Sequence, residues 1–156
     1  MKLTKFNKTK DFKKLDQTTK IALVVSPYYS DISDNLISGA KKVISDLNIA
    51  SDIIQVEGAL EIPGAISLIS KHFDGFVALG CVIRGETSHY EIVSQNSAQG
   101  LIQLSSRGIC IGNGIITVEN FQQALERSDP KKQDKGGDAA RAAIGLMLLN
   151  MEYNDD

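Results

Sequence analysis

The chain has 156 residues, 42% apolar and 23% charged, with 13 glycines, 3 prolines and a formal net charge of −2. That is about one domain, with a core able to bury roughly two-thirds of the unfolded chain's surface, and ordinary Gly and Pro content excludes collagen-like, low-complexity and disordered classes. The longest apolar runs, such as residues 76–83, fall far short of the ~20 residues a membrane span needs. The lysine-rich start lacks the apolar stretch of a secretory signal, so a soluble cytoplasmic protein with no membrane partner is expected.

Charge is unevenly spread. Residues 1–20 carry seven lysines against Asp11 and Asp16, a balance of +5 that leaves −7 on the remainder. Residues 1–18 read as a basic arm, solvated or paired with a neighbouring subunit, and 19–156 as the folded domain. A nucleic-acid reading would rest on this arm alone, where only Phe6 and Phe12 offer stacking, so no nucleic-acid partner is expected. Cys81 and Cys110 lie inside apolar runs and read as free buried thiols; neither has metal-ligand spacing to His72 or His89.

In chain order, a first strand is predicted over Ile21–Val25, then a helix through Leu36, Ala40, Val43, Ile44 and Leu47. A second strand, Ile53–Val56, leads to a helix through Ile62, Ala65, Ile66, Ile69 and Phe73, with Pro63 in its first turn. A third strand, Gly75–Ile83, precedes a helix from about Ser88 to Ser106. The fourth strand, Gly108–Thr117, is followed by a helix from near Glu119 and a last one over Gly136–Met151. Strands alternating with helices predict an α/β fold with a parallel sheet. The third helix has no charged residue from Ile92 to Ser106, although Ser, Asn and Gln abound. Such a face suits burial against copies of itself, because interface cores are depleted in charge.

Open α/β sheets bind ligands beyond the carboxyl ends of their strands. The first strand exits into Ser26-Pro27-Tyr28-Tyr29, whose rings could plate a flat heterocycle. The second exits into Glu57-Gly58-Ala59-Leu60-Glu61, with Glu61 at a helix start where it also favours the dipole. Gly80 to Glu91 follows the third strand and is the richest stretch. Ser88-x-x-Glu91 has the form of a capping box, placing Thr87 and Ser88 at a helix N-terminus suited to phosphate. His89 then falls in the first turn, where the dipole favours neutral imidazole able to exchange protons. The fourth strand exits into Ile111–Gly114, then Thr117–Asn120; farther on, Arg127 and Lys135 could grip a phosphate or simply favour a helix C-terminus.

Three stretches, residues 58–63, 80–90 and 114–120, resemble the lumazine synthase family, in order and with matching spacing from about Ile21 to Asn150. The resemblance implies a flavodoxin-like three-layer sandwich with a four-stranded parallel sheet, assembled as pentamers with sites between subunits. It implies condensation of 5-amino-6-ribitylaminouracil with 3,4-dihydroxy-2-butanone 4-phosphate, without metal or organic cofactor. The product is 6,7-dimethyl-8-ribityllumazine, with phosphate and water released, and riboflavin synthase is implied as a candidate partner. Carried across, Tyr28 would stack on the pyrimidine, while Ala59, Leu60 and Glu61 hold the ribityl chain. Cys81, Val82 and Ile83 would meet the pyrimidine edge, Glu86 and Thr87 would lie against the phosphate, and His89 would shuttle protons. Asn113 would come from the neighbouring subunit, Arg127 would bind phosphate, and Lys135 would lie near the site. Asn113 stands where many members have Phe, and Tyr29 where Asn is common. Ser128–Asp134 replaces a Gly-rich turn of shell-forming members, which favours a free pentamer over a sixty-subunit shell. A flavin-type binding protein of the same fold is the main rival, and a phospho-acceptor domain lacks its Asp at the third strand's end.

Overall fold

Every side chain from Ile21 to Val25 is fully buried, which only the middle of a sheet covered on both faces allows. These residues belong to β1 (Lys20–Val25), in a computed structural model that describes residues 15–154. The expected basic arm therefore lies, up to residue 14, outside the described residues. β1 pairs in parallel with β2 (Ala50–Gln55) from Lys20–Ala50 to Val25–Gln55, and with β3 (Gly75–Ile83) from Ile21–Gly75 to Val25–Leu79. β4 (Ile111–Val118) lies along β3, Phe76 opposite Ile111 and Ile83 opposite Val118. The order is β2-β1-β3-β4, all parallel, so the four carboxyl ends share one edge.

Alternation along the strands sends side chains into two separate cores. Ile21, Leu23, Val25, Val77 and Leu79 meet α1 (Ser30–Ser45) and α5 (Lys135–Asn154) through Ile32, Leu36, Ile44, Ala140 and Ile144; α4 (Phe121–Ser128) adds Ala124. On the other face, Ala22, Val24, Phe76 and Ala78 meet α2 (Ile62–Ile69) and α3 (His89–Ser105) through Ile62, Ile66 and Leu101. This is the predicted three-layer α/β sandwich. Gly112 is required by close packing, since a Cβ there would run into the Ala139 carbonyl oxygen of α5.

Boundaries differ from the sequence reading in places. β2 starts three residues earlier than expected, because Ala50-Ser51-Asp52 pair with β1 despite showing no apolar signal. β4 starts at Ile111 rather than Gly108, whose φ of +94° turns the chain out of α3. α4 starts at Phe121, fixed by Asn120 as N-cap: its carboxamide oxygen accepts from the Gln123 N–H at 2.9 Å. Gln123 returns the bond, its side-chain oxygen accepting from the Glu119 N–H at 2.8 Å. α5 opens at Lys135, so this lysine stands at a helix N-terminus, not the C-terminus considered above. No helix among the described residues is long and apolar enough to cross a membrane.

Candidate active site

The first strand's exit is stitched to its neighbours. The Ser26 N–H donates to the Leu79 carbonyl at 3.0 Å, and its hydroxyl reaches the Glu57 carbonyl at 3.4 Å. Beyond it, Tyr28 is 77% exposed, its ring meeting that of Tyr29 edge-on at 4.9 Å. Tyr29 in turn meets Phe121 at 6.4 Å, forming an aromatic row across the sheet edge. An open cleft of about 560 Å³ lies between Pro27, Tyr28 and Gln55–Glu57. An exposed aromatic wall over such a cleft suits a flat ring.

At the second exit, extended Gly58 leads into a 3-10 turn over Ala59–Glu61. The Glu61 carboxylate folds back over Gly58, where a Cβ would lie 2.9 Å from its oxygen. Ala59 is buried while Leu60 and Glu61 are exposed, so the turn offers an acceptor and an apolar shoulder to the same rim. At the third exit Cys81 and Ile83 face the α1 side. Burial pushes the Cys81 thiol up to about 11, so it is neutral at pH 7 and no nucleophile.

Past Ile83 the ladder runs one residue further, the Arg84 N–H donating to the Val118 carbonyl at 2.9 Å. Gly85, Glu86, Thr87 and Ser88 are exposed, and His89 opens α3, also exposed. The Thr87 hydroxyl oxygen accepts from the His89 N–H at 3.3 Å. The capping box expected at Ser88 and Glu91 does not form. Ser88 makes no side-chain cap bond, and Glu91 instead accepts from Arg84, a charge-assisted bond that outcompetes a neutral backbone amide. Arg84 pulls the Glu91 carboxyl below its ordinary pKa. Sequence reading assigned Arg84 no role; its second partner, Glu119, is 35 residues away, a contact that no local spacing rule reveals.

The sheet thus brings Tyr28, Ala59, Leu60, Glu61, Cys81, Val82, Ile83, Glu86, Thr87 and His89 to one edge. It does not bring Asn113, Arg127 or Lys135 to them by any hydrogen bond or ion pair among the described residues. Asn113 is the third residue of β4, opposite Ala78, and not at the strand exit where the sequence reading set it. At ~3.3 Å per residue it sits roughly 16 Å below that end. Its exposed side chain accepts from the Ile115 N–H at 3.0 Å, on the sheet's open edge. Arg127, in the last turn of α4, donates to the Gln123 carbonyl at 3.3 Å, and Lys135 lies 3.8 Å from Asp138. Among the described residues no three His, Cys, Asp or Glu side chains gather as metal ligands would.

A doubly wound parallel sheet with an aromatic wall, a carboxylate and an imidazole on its carboxyl edge defines an α/β enzyme acting on small molecules. A family model described as 6,7-dimethyl-8-ribityllumazine synthase matches residues 18–151. Relatives bearing that name include one from Novosphingobium aromaticivorans, 49% identical over 137 residues that cover 86% of this chain and 99% of that one. A second, from Zymomonas mobilis, is 52% identical with the same coverage, and a third, from Bartonella bacilliformis, is 44% identical over 92% of this chain and 97% of its own. The chain belongs to the 6,7-dimethyl-8-ribityllumazine synthase family, transferases of riboflavin biosynthesis.

Proposed function

We propose that the carboxyl edge of the sheet holds 5-amino-6-ribitylaminouracil and 3,4-dihydroxy-2-butanone 4-phosphate together and condenses them to 6,7-dimethyl-8-ribityllumazine, phosphate and water. The observation that carries this reading is that three family-like stretches leave three strand exits on one edge, the edge that also carries, between the β1 and β2 exits, the cleft walled by Tyr28. Tyr28 stacks on the pyrimidine, and Glu61 accepts from ribityl hydroxyls beside Ala59 and Leu60. Cys81, Val82 and Ile83 line the pyrimidine edge. Glu86 and Thr87 flank the phosphate, and His89, exposed at the start of α3, moves protons during imine formation and ring closure. Holding two reactants in register supplies much of the acceleration.

The unit of function in this reading is a pentamer in the cytoplasm. Exposed Ile92, Gln95, Gln99 and Ile102 make an uncharged face on α3 that suits a subunit interface. Asn113, too far below its own strand end, serves a neighbouring copy, with Arg127 and Lys135 supplying charge for phosphate at that junction. The folded domain spans 19–156, and the product passes to riboflavin synthase as the natural downstream partner. Purified protein mixed with both substrates should yield fluorescent lumazine and phosphate in equal amounts. His89→Ala should lower kcat about 10²- to 10⁴-fold while pyrimidine binding holds. Pyrimidine binding without turnover in the unaltered protein would instead favour a flavin-type binding protein.

A further inference from the structure

The first turn of α3 carries His89 and is only weakly capped: Ser88 makes no side-chain bond to the helix, the Thr87 hydroxyl accepts from the His89 N–H at 3.3 Å, and residues 85–88 stand in solvent. What ties this turn to the rest of the domain is Arg84. One guanidinium nitrogen donates to Glu91, within the turn, and Nε donates to Glu119, just beyond β4, at 2.8 Å. The same guanidinium lies 4.2 Å from the centre of the Tyr90 ring. One side chain therefore holds the residues on either side of the β3–α3 loop to the end of the neighbouring strand. All three charged groups are half-exposed, and ion pairs in such settings contribute little to folding. Their effect is geometric, and what they orient is the residue preceding Tyr90.

We propose that Arg84 is a positioning residue for the reaction, standing in for the Ser88–Glu91 capping box that does not form and fixing His89 and the Glu86–Thr87 loop against the end of β4. With two carboxylates already on it, Arg84 is committed to the protein and is not the phosphate ligand. The inference rests on His89 acting as proton shuttle, so H89N is measured alongside. In R84Q, kcat should fall about ten- to a hundred-fold, the scale of a 1 Å misplacement, with KM for the pyrimidine unchanged. R84K should recover only part, because an ammonium cannot fork to two carboxylates and stack on a ring at once. E119Q should also lower kcat, and R84Q/E119Q should be no slower than R84Q, since both break one linkage. Guanidinium ion at low, non-denaturing concentration should raise the turnover of R84A and leave H89N unaffected. An unchanged kcat in R84Q or E119Q, or additive losses in the pair, would overturn the inference. Should R84Q not fold, R84K and E119Q decide by the same criterion. Full turnover in H89N would remove the shuttle itself, a failure distinct from one in which H89N is slow and the Arg84 variants are not.

Discussion

Cys81 shows how far one position is set by its surroundings. On the sheet edge its thiol is half-buried, and desolvation raises its pKa from the ordinary 9.0 to about 11. Between those two values the folded chain keeps a proton that the unfolded chain loses, so this group's stabilisation is full below pH 9 and disappears as pH climbs through 11. Thermal unfolding followed across that window should show a smaller decline in Cys81→Ser, and alkylation of the native thiol should stay slow at pH 8. Tyr29, also raised by burial and by Cys81, adds to the same decline. The placement of single residues on the sheet's edge was legible only in part. Tyr28, Glu61 and His89 sit on the predicted edge because each follows an apolar run whose end could be read. Arg84's attachment was invisible, because Glu119 meets it only through the folded sheet, and the competition for Glu91 was settled by a charge that a capping rule ignores.

Elements were legible wherever apolar periodicity set them, and their ends were not. The start of β2 carries no such signal, since an edge strand can pair through its backbone while its side chains face water. Asn120 and Gln123 form a cap close to the one expected at Ser88 and Glu91, with Gln123 accepting from the Glu119 N–H one residue before the cap, so such motifs compete with other partners for their side chains. Asn120→Ala should cost about 1 kcal/mol in denaturant unfolding. Gly112→Ala should cost more, about 1–3 kcal/mol, because the new methyl meets the Ala139 carbonyl and α5 must move off the sheet. Equal unfolding midpoints for Gly112→Ala and the parent would show that α5 yields freely.

On the scale of the whole molecule, the proposed assembly would depend on two surfaces. The α3 face exposes Ile102 at 66% with no charge nearby on the helix, so Ile102→Lys should break the proposed pentamer into smaller species by light scattering while circular dichroism stays unchanged. The 129–134 turn is closed by its own bonds: the Lys131 N–H donates to the Asp129 carboxylate at 2.8 Å, and the Asp134 N–H to the Asp129 carbonyl at 3.1 Å. The proposal of a free pentamer rests on this turn, with Pro130 inside it, standing where shell-forming members have glycines; a mass near sixty subunits would refute that reading.

The position of Asn113 has a kinetic corollary. In the proposed reading Asn113, roughly 16 Å below the end of its own strand, serves a neighbouring copy's site and not its own. A subunit diluted beyond its association equilibrium would then remain folded and idle. Initial rate would rise more steeply than protein concentration in that dilute range and become proportional to it only once neighbours are found. The cell's supply of product would depend on how much of the chain is present in a cooperative way that no single subunit's stability controls.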